Sequence, residues 1–307
     1  MRLRVGVIGL GRRWRRYRPI LMKLRDHVEV RAVHDQIVRR AESEARRLHC
    51  TATMGPVELL DRPDVEAVLL CDDQWFGLWP LEHLCRTNKP VFCALSPADD
   101  DAHADALRQR IQESGLPVFM ALGPLLTPAT RFLRQLLTHR LGAARLVRAD
   151  WSMPLARDLL NSPAVLPLLA GCAWLLDDRP RSVWTIDGED ASFVTLVLRF
   201  GGERLVQVTL WTATAGRTPG RFEVVAESGT ATAELPRHLR WRDADGQHGQ
   251  RLPPRSAEQS GLEHFILALR AGQPLRPSFE DAYQALTWLR AAVRSRTEGR
   301  RIELPDT

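Results

Sequence analysis

Short apolar runs alternate with amphipathic stretches through the first 120 residues. Residues 3–8, 28–33, 65–71, 90–93 and 117–120 read as strands, the third of them almost wholly apolar, as a strand covered on both faces would be. Between them, Trp14, Tyr17, Leu21 and Leu24 recur at helical spacing and leave Arg12, Arg13, Arg15, Arg16 and Arg18 facing mostly outward, with Pro19 predicted to kink that helix. Further helices are predicted near 39–48, from 56 onward, and over 79–87 and 101–114. Strands alternating with helices of this length predict a doubly wound parallel sheet, closing near residue 122.

The pattern then changes. After a helix near 129–138, residues 145–151, 192–200, 204–212, 221–226 and 230–235 read as strands joined by Gly-Gly, Ser-Gly and similar turns, which predicts an open, mostly antiparallel sheet. Helices near 260–271 and 279–297 close the chain. The expected organisation is a dinucleotide-binding domain over 1–122 and a second α/β domain over 123–307. There are no internal repeats and no low-complexity segments.

The junction of the first strand with the first helix is Gly9-Leu10-Gly11-Arg12-Arg13-Trp14. In a dinucleotide-binding turn the first glycine makes the tight bend, the second lets backbone approach a pyrophosphate, and a third keeps helix and sheet close. Trp14 holds the third place, so the phosphate end of the motif is kept and its packing end is not. Arg12 and Arg13, at a helix N-terminus beside the turn, are candidate phosphate contacts. Asp35 ends the second strand, 24 positions beyond Gly11, where a carboxylate would hydrogen-bond a ribose hydroxyl. A carboxylate there favours NAD, without excluding NADP.

Composition adds bounds. The 307 residues carry a formal net charge of +6, and arginine supplies all but two of the basic side chains, Lys23 and Lys89. The basic residues are scattered and lack interleaved stacking aromatics, which argues against a nucleic-acid partner. No apolar run reaches membrane-spanning length and no signal peptide is evident, so a cytoplasmic protein without a membrane partner is expected. Cys50, Cys71, Cys85, Cys93 and Cys172 form no Cys-x-x-Cys pair and no cluster with histidine, so neither a disulfide framework nor a metal site is expected.

In order and spacing, Val5 to Gly11, Asn88-Lys89-Pro90-Val91-Phe92-Cys93, Leu262-Glu263-His264-Phe265, Asp281-Ala282 and Gly299-Arg300-Arg301-Ile302 resemble the glucose-fructose oxidoreductase / inositol dehydrogenase / MocA-like family over nearly the whole chain. The resemblance implies a Rossmann domain, a second α/β domain with an open sheet through which similar proteins pair, and NAD(P)-dependent redox chemistry on polyols or sugars. It also implies a Glu-Lys-Pro motif after Cys93, where this chain has Ala94-Leu95-Ser96-Pro97. A second motif, Asp-x-Gly-x-His-x-x-Asp ahead of Trp174-Leu175, falls on Pro163, Val165, Pro167 and Ala170, and no histidine occurs between His139 and His238. A third polar stretch reads Gly123-Pro124-Leu125-Leu126.

Moving a hydride from a carbinol carbon needs a group to take the hydroxyl proton, and a positioned acid or base contributes ~10²–10⁴-fold. Leucine and proline exchange no protons, so no catalytic residue is assigned. The expected cofactor-binding set is Gly9, Leu10, Gly11, Arg12, Arg13 and Asp35, with Asp72 and Asp73 at the end of the third long strand as helix-capping residues or as a remodelled acid–base pair. Three readings follow: a member that has lost the usual dehydrogenase chemistry and binds a nucleotide or other small molecule in its interdomain cleft; an oxidoreductase using Asp72 or Asp73; and a structural protein that forms a homo-oligomer through its open sheet, the indole of Trp14 excluding the dinucleotide.

Overall fold

A computed structural model of the chain describes residues 2–71, 75–153, 158–188, 192–213 and 220–305. It divides into two compact units, Met1–Leu122 with Glu258–Tyr283 and Gly123–Ala257 with Gln284–Thr307. Among the described residues no helix is long and apolar enough to cross a membrane.

The first unit is built on a six-stranded parallel sheet in the order β3-β2-β1-β4-β5-β6, comprising β1 Leu3–Ile8, β2 Val28–His34, β3 Thr51–Ala52, β4 Ala67–Leu70, β5 Val91–Cys93 and β6 Val118–Met120. The order reverses between β1 and β4, and in such sheets ligands bind outside the carboxyl ends of the strands at that point. The helices are α1 Trp14–Lys23, α2 Val38–Leu48, α3 Pro56–Asp61, α4 Trp79–Thr87 and α5 Asp101–Ser114. α1 stays one helix through Pro19 and buries Trp14, Tyr17, Ile20 and Leu21. Leu24, expected on the same face, caps the helix and is half-buried.

A segment from the far end of the sequence completes this unit. Most of α8 (Ala257–Arg270, following α6 Pro128–Leu136 and α7 Val165–Leu176) belongs to it, because Phe265 packs edge-on against Phe92 of β5 and Phe119 of β6, with ring centroids 5.6 and 6.0 Å apart. The Met120 N–H donates to the Pro277 carbonyl at 2.7 Å, and Arg108 on α5 forms a two-pronged ion pair with Glu280 at 2.7 and 2.8 Å. The simple boundary expected after residue 122 therefore leaves out the return of 258–283.

The second unit holds a nine-stranded sheet in the order β14-β13-β12-β11-β7-β10-β9-β8-β15. Its strands are β7 Ala144–Met153, β8 Ser182–Asp187, β9 Phe193–Arg199, β10 Leu205–Thr212, β11 Arg221–Ala226, β12 Gly229–Glu234, β13 His238–Asp243, β14 Gly246–Arg251 and β15 Ile302–Glu303. All pairings are antiparallel except β7 with β10. Alternation sorts the two faces: Val194, Leu196, Leu198, Val206, Val208, Leu210, Phe222 and Val224 are buried on the side where α7 packs on β7 and β10. Each such side chain contributes about 1.5–3 kcal/mol of burial. The last helix, α9 Phe279–Glu298, is fastened to β8 by Ser295, whose hydroxyl accepts the Thr185 N–H at 3.0 Å.

Candidate nucleotide site

Gly9 adopts a φ of 88°, a left-handed geometry that costs an ordinary residue roughly 1–2 kcal/mol. The turn it starts is clamped to β2 at two points. Its N–H donates to the His34 carbonyl at 2.9 Å, and the Leu10 N–H donates to Asp35 Oδ2 at 2.7 Å. Asp35 is 4% exposed. Its Oδ1 also accepts the Ile37 N–H at 2.9 Å, and Arg40 Nη1 reaches Oδ2 and Oδ1 at 3.2 and 3.3 Å. The N–H groups of Gly11 and Arg12 find no acceptor among the described residues. Two unspent backbone donors ahead of a ten-residue helix suit a phosphate, so the residues present fit a dinucleotide.

Of the expected set, Gly9, Leu10, Gly11, Arg12, Arg13 and Asp35 thus come together at the carboxyl ends of β1 and β2. Leu10 contributes its backbone only, and that backbone is already spent on Asp35. Arg13 reaches further than expected. It donates through Nη1 to the Ala94 carbonyl, just past β5, and through Nη2 to Asp99 Oδ2 at 3.0 Å. Trp14 is 2% exposed, and its Nε1 is buried without a hydrogen-bond partner among the described residues. The third-glycine place is therefore filled by a core indole.

The stretch following β5 begins apolar and buried. Ala94 and Leu95 are 9% and 5% exposed. The Ser96 hydroxyl accepts the Ala98 N–H at 3.2 Å, while Asp99 accepts the Ser96 N–H at 3.1 Å in a reciprocal capping box. Neither lysine substitutes: Lys89 Nζ donates to the carbonyls of Leu60 and Arg62, both at 2.7 Å, and Lys23 ends α1.

Two other replaced stretches pack on each other within the second unit. α7 is apolar on nearly every side, with Val165, Leu166, Leu168, Leu169, Cys172, Leu175 and Leu176 buried. Pro124, Leu125 and Leu126 are buried in a 3-10 turn over Gly123–Leu126. A Cβ on Gly171 of α7 would lie 3.1 Å from Leu125 Cδ1 and 3.5 Å from Phe222 Cζ. These two stretches thus form one apolar packing unit, Gly171 admitting Leu125 from the turn.

Asp72 and Asp73 lie outside the described residues. Asp158 takes a two-pronged contact from Arg296 at 2.8 and 2.9 Å, which holds its carboxyl below the ordinary value. Burial pushes the Cys93 thiol up to about 12 and raises that of Cys172 as well, so neither supplies a thiolate nucleophile near neutrality. His34 is buried with Nδ1 3.0 Å from the Thr53 carbonyl, and His83 pairs with Asp61 at 2.8 Å. No cluster of three or more His, Cys, Asp or Glu among the described residues could hold a metal ion. Sequence reasoning missed Arg40, which a search for cations within the first turn of α2 could have raised. It had no signal for the Arg13 contact with Asp99, 86 positions away.

Comparison with known proteins places this site in a family. The GFO_IDH_MocA sequence family, described as an oxidoreductase family with an NAD-binding Rossmann fold, matches residues 3–121. Inositol 2-dehydrogenase of Rhizobium meliloti (strain 1021) is 25% identical over 335 residues, covering 99% of this chain and 100% of that protein. The crystal structure of myo-inositol dehydrogenase from Lactobacillus casei, in complex with NAD(H) and myo-inositol, superposes with a TM-score of 0.81 at 21% identity, covering 100% of this chain and 98% of that one. That of a myo-inositol dehydrogenase from Corynebacterium glutamicum gives 0.83 at 16% identity over 100% of both chains.

Proposed function

Because residues 3–121 match the GFO_IDH_MocA oxidoreductase family, NAD-binding through a Rossmann fold, we propose that the chain holds a nicotinamide dinucleotide on its first unit and carries out no lysine- or histidine-dependent hydride transfer. The observation that carries this reading is the contrast within one sheet. At the end of β1 the donors and the acid that suit a dinucleotide are present, whereas at the end of β5 the place of the ammonium is held by Leu95, 5% exposed, between the Ala94 carbonyl that accepts from Arg13 and the Ser96 hydroxyl that accepts the Ala98 N–H. When bound, the cofactor would supply a hydride-accepting ring. The chain's own residues would receive the pyrophosphate on the N–H groups of Gly11 and Arg12 and face the ribose with Asp35. Leu95, at the place of the ammonium, exchanges no proton.

The test pairs binding with turnover. Titration followed by nicotinamide fluorescence is expected to show saturable NADH binding, while absorbance at 340 nm stays flat with NAD and a panel of myo-inositol, other polyols and sugars. Sustained NADH production from any member of that panel would overturn the reading.

A role in self-association is favoured by the outward face of the second sheet. Trp184, Ile186, Phe193 and Val225 are 46%, 38%, 42% and 44% exposed, and Trp211 stands directly across from Phe193 in the β9–β10 register. An apolar surface of this kind marks an interaction site, and homo-oligomers of soluble proteins are most often two-fold. A dimer is the expected species in sedimentation velocity, and Phe193→Asp is expected to shift it to monomer; a monomeric wild type at tens of micromolar excludes the assignment.

A further inference from the structure

We propose that the second unit holds a free amino acid with a cationic side chain, of the lysine class, in a polar cavity that shares no residue with the nucleotide site.

The cavity has a volume of about 410 Å³ and is lined by Ala144 and Arg145 at the start of β7, by Gly202, Glu203 and Arg204 in the turn from β9 to β10, and by Glu227 just past β11. Pockets for small ligands run from roughly 300 to 1,000 Å³, so an amino acid fits. The walls are fastened. Gly202 and Glu203 have φ of 65° and 61°, a left-handed pair that a residue with a Cβ adopts at some cost. Arg204 holds this turn: its Nε donates to the Gly201 carbonyl at 2.9 Å, its Nη1 to the Leu176 carbonyl at 3.1 Å, and its Nη2 pairs with Asp178. Glu227 is fixed by its N–H, which donates to the Ala143 carbonyl at 3.1 Å, and by its Oε2, which accepts the Ala143 N–H at 3.2 Å.

Those partners answer the charge of Arg204. Three other charges on the lining are not answered. Arg145 and Glu203 are exposed and meet no oppositely charged partner among the described residues, and Glu227 meets no cation there either. One guanidinium and two carboxylates are matched group for group by a ligand that carries one carboxylate and two cations. The guanidinium takes the ligand's carboxylate in a two-pronged contact, and each acid takes an ammonium. A diamine leaves Arg145 unanswered, and an amino acid with an apolar side chain leaves one acid unanswered. A phosphate or an acidic amino acid brings like charge against both acids. Selectivity thus comes from rejecting the wrong count of charges as well as from attracting the right one.

The test is isothermal titration calorimetry of the full chain with three ligands: L-lysine, cadaverine, which lacks only the carboxylate, and L-norleucine, which lacks only the side-chain ammonium. L-lysine is expected to bind saturably and about tenfold tighter than either of the others, and to weaken as salt is raised, because charges this exposed are screened. Arg145→Gln is expected to bring L-lysine down to the affinity of cadaverine. Glu203→Gln and Glu227→Gln are each expected to weaken L-lysine about tenfold, the second amide keeping an acceptor for the Ala143 N–H. A circular dichroism melt of each variant shows that it is folded. Absence of saturable L-lysine binding in the millimolar range overturns the proposal, as does equal affinity for the three ligands. A folded Arg145→Gln protein that still prefers L-lysine to cadaverine by the wild-type ratio overturns it too.

Discussion

Asp35→Ala is expected to abolish dinucleotide binding and to destabilise the first unit by about 2–4 kcal/mol, estimated from the cost of stranding buried donors. The effect is larger than the loss of a ribose contact because the side chain serves the fold and the site at once. Removing it leaves the N–H groups of Leu10 and Ile37 without acceptors, and Leu10 is only 4% exposed. The orphaned Arg40, 39% exposed, turns to water, so its loss of a partner adds little. Without the clamp, the Leu10 N–H loses its tie to the end of β2, and the turn at Gly9, at φ 88°, no longer presents its donors in one place. Urea unfolding followed by tryptophan fluorescence measures the first part and NADH titration the second. An unchanged midpoint together with intact NADH affinity would show that the carboxylate is dispensable. Asp35→Asn separates the two functions: one amide oxygen can still accept a backbone N–H, so part of the stability should return.

How much of this was legible in the sequence follows from where the signal resides. β1, β2 and β4 are runs of apolar residues, and the helices between them have a single buried face, so periodicity alone places them within a few residues. Two of the strands that sequence reading overlooked, β13 and β14, share a physical reason. β14, Gly246–Arg251, contains no buried residue, and β13 beside it buries only Leu239. They form a hairpin at the edge of the sheet, held by backbone pairing that leaves no hydrophobic pattern. The glycine turn and Asp35 were equally legible, being a local motif at a fixed spacing. The partners of Asp35 were not, because Arg40 and the backbone N–H groups of Leu10 and Ile37 are brought to it by the fold. The same limit applies to Arg13, whose contacts with Ala94 and Asp99 join positions more than 80 residues apart.

The least legible feature is the return of residues 258–283 to the first unit, and Phe92→Ala is expected to expose its energetic weight. Phe92 is fully buried and stands at the centre of a ring cluster: Tyr17 of α1 meets it edge-on at 5.2 Å, Phe119 of β6 stacks at 5.3 Å, and Phe265 of α8 meets it edge-on at 5.6 Å. Truncating such a side chain costs about 3–5 kcal/mol, the spread depending on how far the cavity collapses. Three rings contributed by three other elements hold one another in place, so little collapse is expected and the cost should fall toward the upper end. Burial also keeps the Tyr17 hydroxyl protonated far above its ordinary value, so no charge develops in the cavity at working pH. If α8 is bound mainly through this cluster, Phe92→Ala and Phe265→Ala should not be additive: the double variant is expected to lose about 0.5–1.5 kcal/mol less than the sum of the two, the size of an aromatic pair. Urea unfolding of the wild type and the three variants reads this directly. Strict additivity would mean that the Met120–Pro277 and Arg108–Glu280 contacts hold the returning segment without help from the rings.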